Sequence, residues 1–147
     1  MPHFTLQVAP NGPLMDAFIG VSEAKKAALL KANQEVPKPR QIRALVDTGA
    51  SCLCVDPSVL KELALVPTGK TTVVSPTTGT QPKEVDQYDV SLVIPCGHHA
   101  PFTMETIAAV ESELLLPQGF HALIGRDILK HCLPTYNGTV DLFTLAY

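Results

Sequence analysis

The sequence predicts a mostly β fold with a closed or sandwich-like core. Short runs rich in Val, Ile, Thr, Tyr and Phe recur along the chain, each bounded by Gly, Pro, Asn or Asp. Only two or three stretches have a helix-forming composition. A chain of 147 residues with 46% hydrophobic side chains has the size of one domain around a single core.

Taken in order, residues 3–8 alternate Phe4, Leu6 and Val8 with His3, Thr5 and Gln7, the period of two of a strand with one buried face. Asn11-Gly12-Pro13 turns the chain into a second apolar run at 14–21. Ser22 and Glu23 then open a stretch of Ala, Lys and Leu up to Gln34, the longest expected helix. Pro37 and Pro39 lack backbone donors and push their predecessors into extended conformations, so 35–40 reads as a linker. A strand at 41–46 runs into Asp47, and another short apolar run covers 52–55. Asp56-Pro57 suits a helix start, with the carboxylate as cap and proline at the first position, ahead of two turns at 58–63. Residues 71–75 and 85–94 read as a long hairpin with a polar tip at 76–82. A strand follows at 102–110, then a very short one at 122–124, ended by Gly125, and a helical stretch at 126–131. Asn137-Gly138, between runs at 132–136 and 139–145, is the signal for a two-residue hairpin with positive φ at both central positions.

Composition excludes several classes. With 11 Lys+Arg against 14 Asp+Glu the net charge is −3, which gives no basic face for nucleic acid. Apolar stretches fall far short of the roughly 20 residues of a membrane helix. The first residues show no basic region followed by an apolar run, so no secretory signal is expected there. Four scattered cysteines do not form a disulfide framework, which points to reduced thiols in the cytoplasm.

The sharpest chemical feature is Ala44-Leu45-Val46-Asp47-Thr48-Gly49-Ala50-Ser51, in which a carboxylate closes an apolar strand and a glycine follows at once. Such a group can be held rigidly at the mouth of a cleft, or it can simply accept backbone N–H groups in an Asx turn. Weaker candidates are Cys96, His98 and His99 in one turn with His131-Cys132, whose residue types suit zinc but whose spacing does not. Cys52 and Cys54 lie in an apolar run and read as small packed hydrophobes, although Cys52 with a histidine could form a nucleophile pair. Asp127 could serve as a second carboxylate, but near a helix start it suits unsatisfied N–H groups.

A second segment, Ala122-Leu123-Ile124-Gly125-Arg126-Asp127-Ile128-Leu129, changes the weight of the first. Together, Leu-Val-Asp-Thr-Gly-Ala-Ser and Leu-Ile-Gly-Arg-Asp-Ile-Leu resemble the retroviral-type aspartic proteases, the retropepsins, with their bacterial and cellular relatives. The resemblance covers roughly residues 41–147 and leaves the helix at 22–34 as an insertion, about 22–40 with its linker. It implies a retropepsin-like single-lobe β fold over residues 1–147, with a short C-terminal helix and an inserted N-terminal one, closed by homodimerisation. The hairpin at about 71–94 would be a flap. Pepsin-like enzymes carry two Asp-Thr-Gly loops in one chain; this chain carries one.

The function implied is aspartic endopeptidase activity on peptide or protein substrates, with no cofactor and no metal. Asp47, Thr48 and Gly49 would be catalytic, with Thr48 bonding across the dimer axis and Gly49 offering its carbonyl to substrate. Ala50, Ser51, Thr78, Gly79, Thr80 and Ile124 would contact substrate, while Gly125, Arg126 and Asp127 would be structural, Gly125 by permitting a sharp entry to the helix. Many viral members have Asp where this chain has Ser51, which leaves Arg126 in need of another partner. Apolar alternation in 4–8 and 140–145 suggests that one or both terminal segments pair across the dimer interface. Ala50 has no hydroxyl to offer an ionised carboxylate pair, so activity is expected to peak at roughly pH 5–6 and not near pH 2. A pH–rate profile with its maximum below about pH 3 contradicts this expectation. Two alternatives stay open on the residues alone: a peptide-binding or scaffolding dimer that does not cleave, and a zinc-dependent hydrolase built on the Cys/His cluster.

Overall fold

The computed structural model describes residues 1–75 and 79–147. Among them are strands β1 (His3–Gln7), β2 (Leu14–Val21), β3 (Arg40–Val46), β4 (Leu53–Val55), β5 (Gly69–Val73), β6 (Lys83–Cys96), β7 (His99–Glu111), β8 (Ala122–Ile124), β9 (Leu133–Asn137) and β10 (Leu142–Ala146). The helices are α1 (Glu23–Lys31), α2 (Pro57–Glu62), α3 (Leu115–Gln118) and α4 (Arg126–Leu129). None of the described helices is long and apolar enough to cross a membrane.

The main sheet runs β2-β3-β8-β4-β7-β6-β5, and an additional β2–β6 pairing closes its first six strands into a ring. β6 makes this possible by its length: its first part pairs with β5, while Val90–Val93 faces Phe18–Val21 of β2. Alternation then sorts the side chains. Val90, Leu92 and Ile94 point into the ring with Ile19, Ile42, Leu53, Ala109 and Ile124, all at most 1% exposed. Each such Leu or Ile contributes about 1.5–3 kcal/mol by leaving water.

Two pairings in the ring are parallel, β3 with β8 and β4 with β7. The first sets Val46 opposite Ile124, so the residues that follow, Asp47 on one strand and Gly125 on the other, emerge side by side. This is how two motifs remote in sequence meet.

A second sheet, β1-β10-β9, contains both ends of the chain. For the C-terminal segment the expected pairing across an interface is corrected here: β10 pairs with β1 of the same chain, and β9 takes its other edge. Both edges of β10 are therefore satisfied internally, and the outer edges of this sheet belong to β1 and β9. The Asn137-Gly138 expectation is corrected too. Leu142 pairs with Asn137, so the connection has four residues, and the positive φ falls on Asp141 (52°). The Asn137 side chain accepts from the Thr139 N–H at 3.1 Å, an Asx contact that favours the wider loop.

Asp56 does more than start a helix. Its Oδ1 accepts from the Ser58 N–H and hydroxyl, and its Oδ2 accepts from the N–H groups of Leu114 and Leu115, both at 2.8 Å. Burial alone would raise its pKa, but bonds from Leu115, Ser58 and Leu114 outweigh it and bring the value to about 2. The unfolded value is higher, so the stabilisation is complete above about pH 4 and disappears as the pH falls through about 2. Asp56→Asn is expected to lose about 2 kcal/mol at neutral pH, a gap that narrows below about pH 4. Urea denaturation of both proteins across that range measures it.

Candidate active site

Asp47 follows the last residue of β3 and is half-buried, with Thr48 and Gly49 exposed after it. Its backbone is fixed at both ends. The Asp47 N–H donates to the Ile124 carbonyl at 3.0 Å, and its own carbonyl accepts from the Ala50 N–H at 3.2 Å. Among the described residues the side chain is oriented by one hydrogen bond, the Gly49 N–H donating to Oδ1 at 2.8 Å. A Cβ on Gly49 would lie 3.0 Å from that oxygen, so any larger residue crowds the carboxylate.

Arg126 finds its partner in the loop backbone. Its Nη1 donates to the Thr48 carbonyl at 2.7 Å and the Gly49 carbonyl at 3.2 Å, while its N–H donates to the Ala50 carbonyl at 2.9 Å. Arg126 thus ties down three consecutive carbonyls beside Asp47, two with its cation and one with its backbone N–H, and the charge finds its partners without an acidic residue at position 51. The Gly49 carbonyl has a second lone pair left for another donor.

Gly125 has φ −90°, a conformation open to any residue, so the expected reason for a glycine is replaced by another. A Cβ there would lie 2.5 Å from the Cys52 carbonyl oxygen and 2.8 Å from its nitrogen. Only a residue without a side chain lets the two segments pass this closely. Asp127 completes the clamp: Oδ2 accepts from the Leu53 N–H and Oδ1 from the Ile128 N–H, both at 2.9 Å.

Not every expected residue joins the loop surface. Ile124 is fully buried, so it is corrected from a substrate contact to a core residue that supports Asp47 from beneath. Ala50 is half-buried and Ser51 exposed. Gly79 and Thr80 form an exposed turn between β5 and β6, and Thr78 lies outside the described residues. Among the described residues no three His, Cys, Asp or Glu side chains converge on a metal-sized site. A recess of about 330 Å³ adjoins Asp47 and Thr48, walled by Pro13, Val46, Pro134, Tyr136 and Phe143. The last three come from the terminal sheet. No pattern in the sequence connects them to Asp47, because only the folded chain brings β9 and β10 to this loop.

The family model described as aspartyl protease matches residues 30–128, a span that includes both the Asp47 loop and the Gly125-Arg126-Asp127 segment. The chain belongs to the aspartyl protease family. Its fold is retropepsin-like: it is similar to the crystal structure of a retropepsin-like aspartic protease from Rickettsia conorii, with a TM-score of 0.61 and 17% sequence identity, over 99% of this chain and 90% of that one. No curated protein matches the chain.

Proposed function

We propose that this chain, as one domain over residues 1–147 with 22–40 inserted, is an aspartic endopeptidase that works as a homodimer in a reducing, cytoplasmic setting. The observation that carries the reading is the Asp47 loop, an acid held rigid by backbone bonds and by Arg126, with Oδ2 meeting no hydrogen-bond donor among the described residues. Peptide hydrolysis needs two carboxyl groups in different states. One, ionised, takes a proton from the attacking water; the other, protonated, polarises the carbonyl and then protonates the leaving amine. One Asp47 cannot be both at once, whereas two from related copies, about 3 Å apart, share a single proton and divide the roles.

The surface around Asp47 supports a second copy. Among the described residues the outer edge of β9 is unpaired, and Leu133, Tyr136 and Leu142 of the sheet that walls the recess, with Val140 in the turn between β9 and β10, expose 36–60% of their areas. Thr48 would meet its counterpart there, and the β5–β6 hairpin would act as the flap, its backbone pairing with an extended peptide. Four free cysteines suit a reducing compartment. The test is cleavage of a mixed peptide library from about pH 3 to 7, with sedimentation at the assay concentration. Cleavage by a dimer, strongest at roughly pH 5–6, supports the proposal. A folded dimer that cuts nothing turns the reading to a peptide-binding module, and cleavage by a monomer removes the shared pair.

A further inference from the structure

Cys52 and Cys54 stand directly after the catalytic loop, and the hydrolysis proposed above uses neither. Leu53 between them is fully buried, so alternation puts both cysteines on the opposite face, where each is half-buried. Two residues of extended chain separate their Cα atoms by about 6.6 Å, and the bend at Cys52 only shortens this. Disulfides span roughly 4.4–6.8 Å between Cα atoms. The Cys54 Sγ leans back toward its neighbour and donates to the Cys52 carbonyl at 3.6 Å.

We propose that Cys52 and Cys54 form a reversible dithiol–disulfide pair, oxidised by hydroperoxides, whose state is transmitted to the Asp47 loop. The two thiols are unequal in the way such a pair requires. Hydrogen bonding from Cys54, aided by Ser51, holds the Cys52 thiol down to about 7 against burial and the Asp127 charge. The same contact with Cys52, followed by burial, pushes the Cys54 thiol well up. Cys52 is the nucleophile and Cys54 the resolving thiol. The Cys52 thiolate attacks the peroxide, the O–O bond breaks, an alcohol or water leaves, and Cys52 becomes a sulfenic acid. The Cys54 sulfur then displaces that hydroxyl as water, its thiol proton going with it, and the S–S bond forms. Two thiols have lost two electrons and one peroxide has gained them.

The link to the loop is backbone contact. Residue 52 is packed against Gly125 with no room for even one added carbon, Arg126 holds the Ala50 carbonyl, and Asp127 holds the Leu53 N–H. Drawing residues 52 and 54 into disulfide geometry moves a segment wedged between these anchors, so the loop they position must shift as well. The effect on catalysis rests on the protease reading; the bridge itself does not.

The test uses the full chain treated with hydrogen peroxide, followed by mass spectrometry of the alkylated protein and hydrogen exchange. Wild type is expected to lose two hydrogens, to keep two of its four thiols open to alkylation with the bridge mapping to 52–54, and to recover fully with dithiothreitol. Cys54→Ser should stop at a dimedone-reactive sulfenic acid on Cys52, and Cys52→Ser should show neither product. Amide exchange at Gly49 and Arg126 should rise about tenfold on oxidation of wild type and stay constant in Cys52→Ser. Oxidation at Cys96 or Cys132 first, a bridge between copies, or unchanged exchange in the bridged protein overturns the proposal. A bridged, loop-shifted protein that cleaves no peptide even when reduced upholds the pair and removes the protease reading instead.

Discussion

Asp47→Asn is expected to lower peptide hydrolysis by at least ~10³-fold while leaving stability and assembly unchanged. The fold should survive because the Asp47 side chain accepts the Gly49 N–H, a contact that an asparagine carbonyl provides equally well. The chemistry should not, because an amide can neither take the proton of the attacking water nor return one to the leaving amine. Mixing the variant with wild type sharpens the test. If every productive site needs a carboxyl group from each copy, equilibrated mixtures lose activity as the square of the wild-type fraction. An equal mixture then retains about one quarter of the activity. About one half would show that each chain acts alone and would end the shared-proton mechanism.

Gly125→Ala is expected to be the most damaging single-methyl change in the protein, costing about 3 kcal/mol or preventing folding. The new carbon would sit 2.5 Å from the Cys52 oxygen and 2.7 Å from its carbonyl carbon, and backbone cannot rotate away as a side chain can. Gly69→Ala is the control, since a Cβ at Gly69 meets nothing within 4 Å. Urea denaturation of the two variants should give costs that differ by at least about 2 kcal/mol, and equal costs would show that the Gly125 crossing is looser than its geometry indicates.

Local signals made much of this readable in advance. The apolar run at 14–21, the capping pair Asp56-Pro57 and the β5–β6 hairpin each depend on neighbours a few residues away, and each appears where the sequence places it. Asp-Thr-Gly and Ile-Gly-Arg-Asp could be seen as a pair only through a family resemblance, since nothing in either segment encodes the parallel β3–β8 contact that joins them. What escaped is non-local. The closure of β2 on β6 depends on strands separated by about half the chain, and the union of β1 with β10 on its two ends. The partner of Arg126 escaped for a different reason: it is backbone, and carbonyl groups leave no trace in residue identity. The same holds for Asp56, whose reach to Leu114 and Leu115 anchors α3, a one-turn helix with an unremarkable sequence.

Helix α1 contributes no buried residue, and from Glu23 to Gln34 only Leu29 is even half covered. Yet the strands on either side are direct partners, with Ile19 opposite Arg40. The whole excursion is therefore an oversized hairpin loop whose feet stand only about 5 Å apart. Closing such a loop costs little more as it grows, about 0.6 kcal/mol for each doubling in length. The strand register beneath it is set by the pairing and burial of the strands themselves, to which α1 adds no buried side chain. Here the chain can accept new sequence, a tag, a reporter or a docking element, without repacking its core.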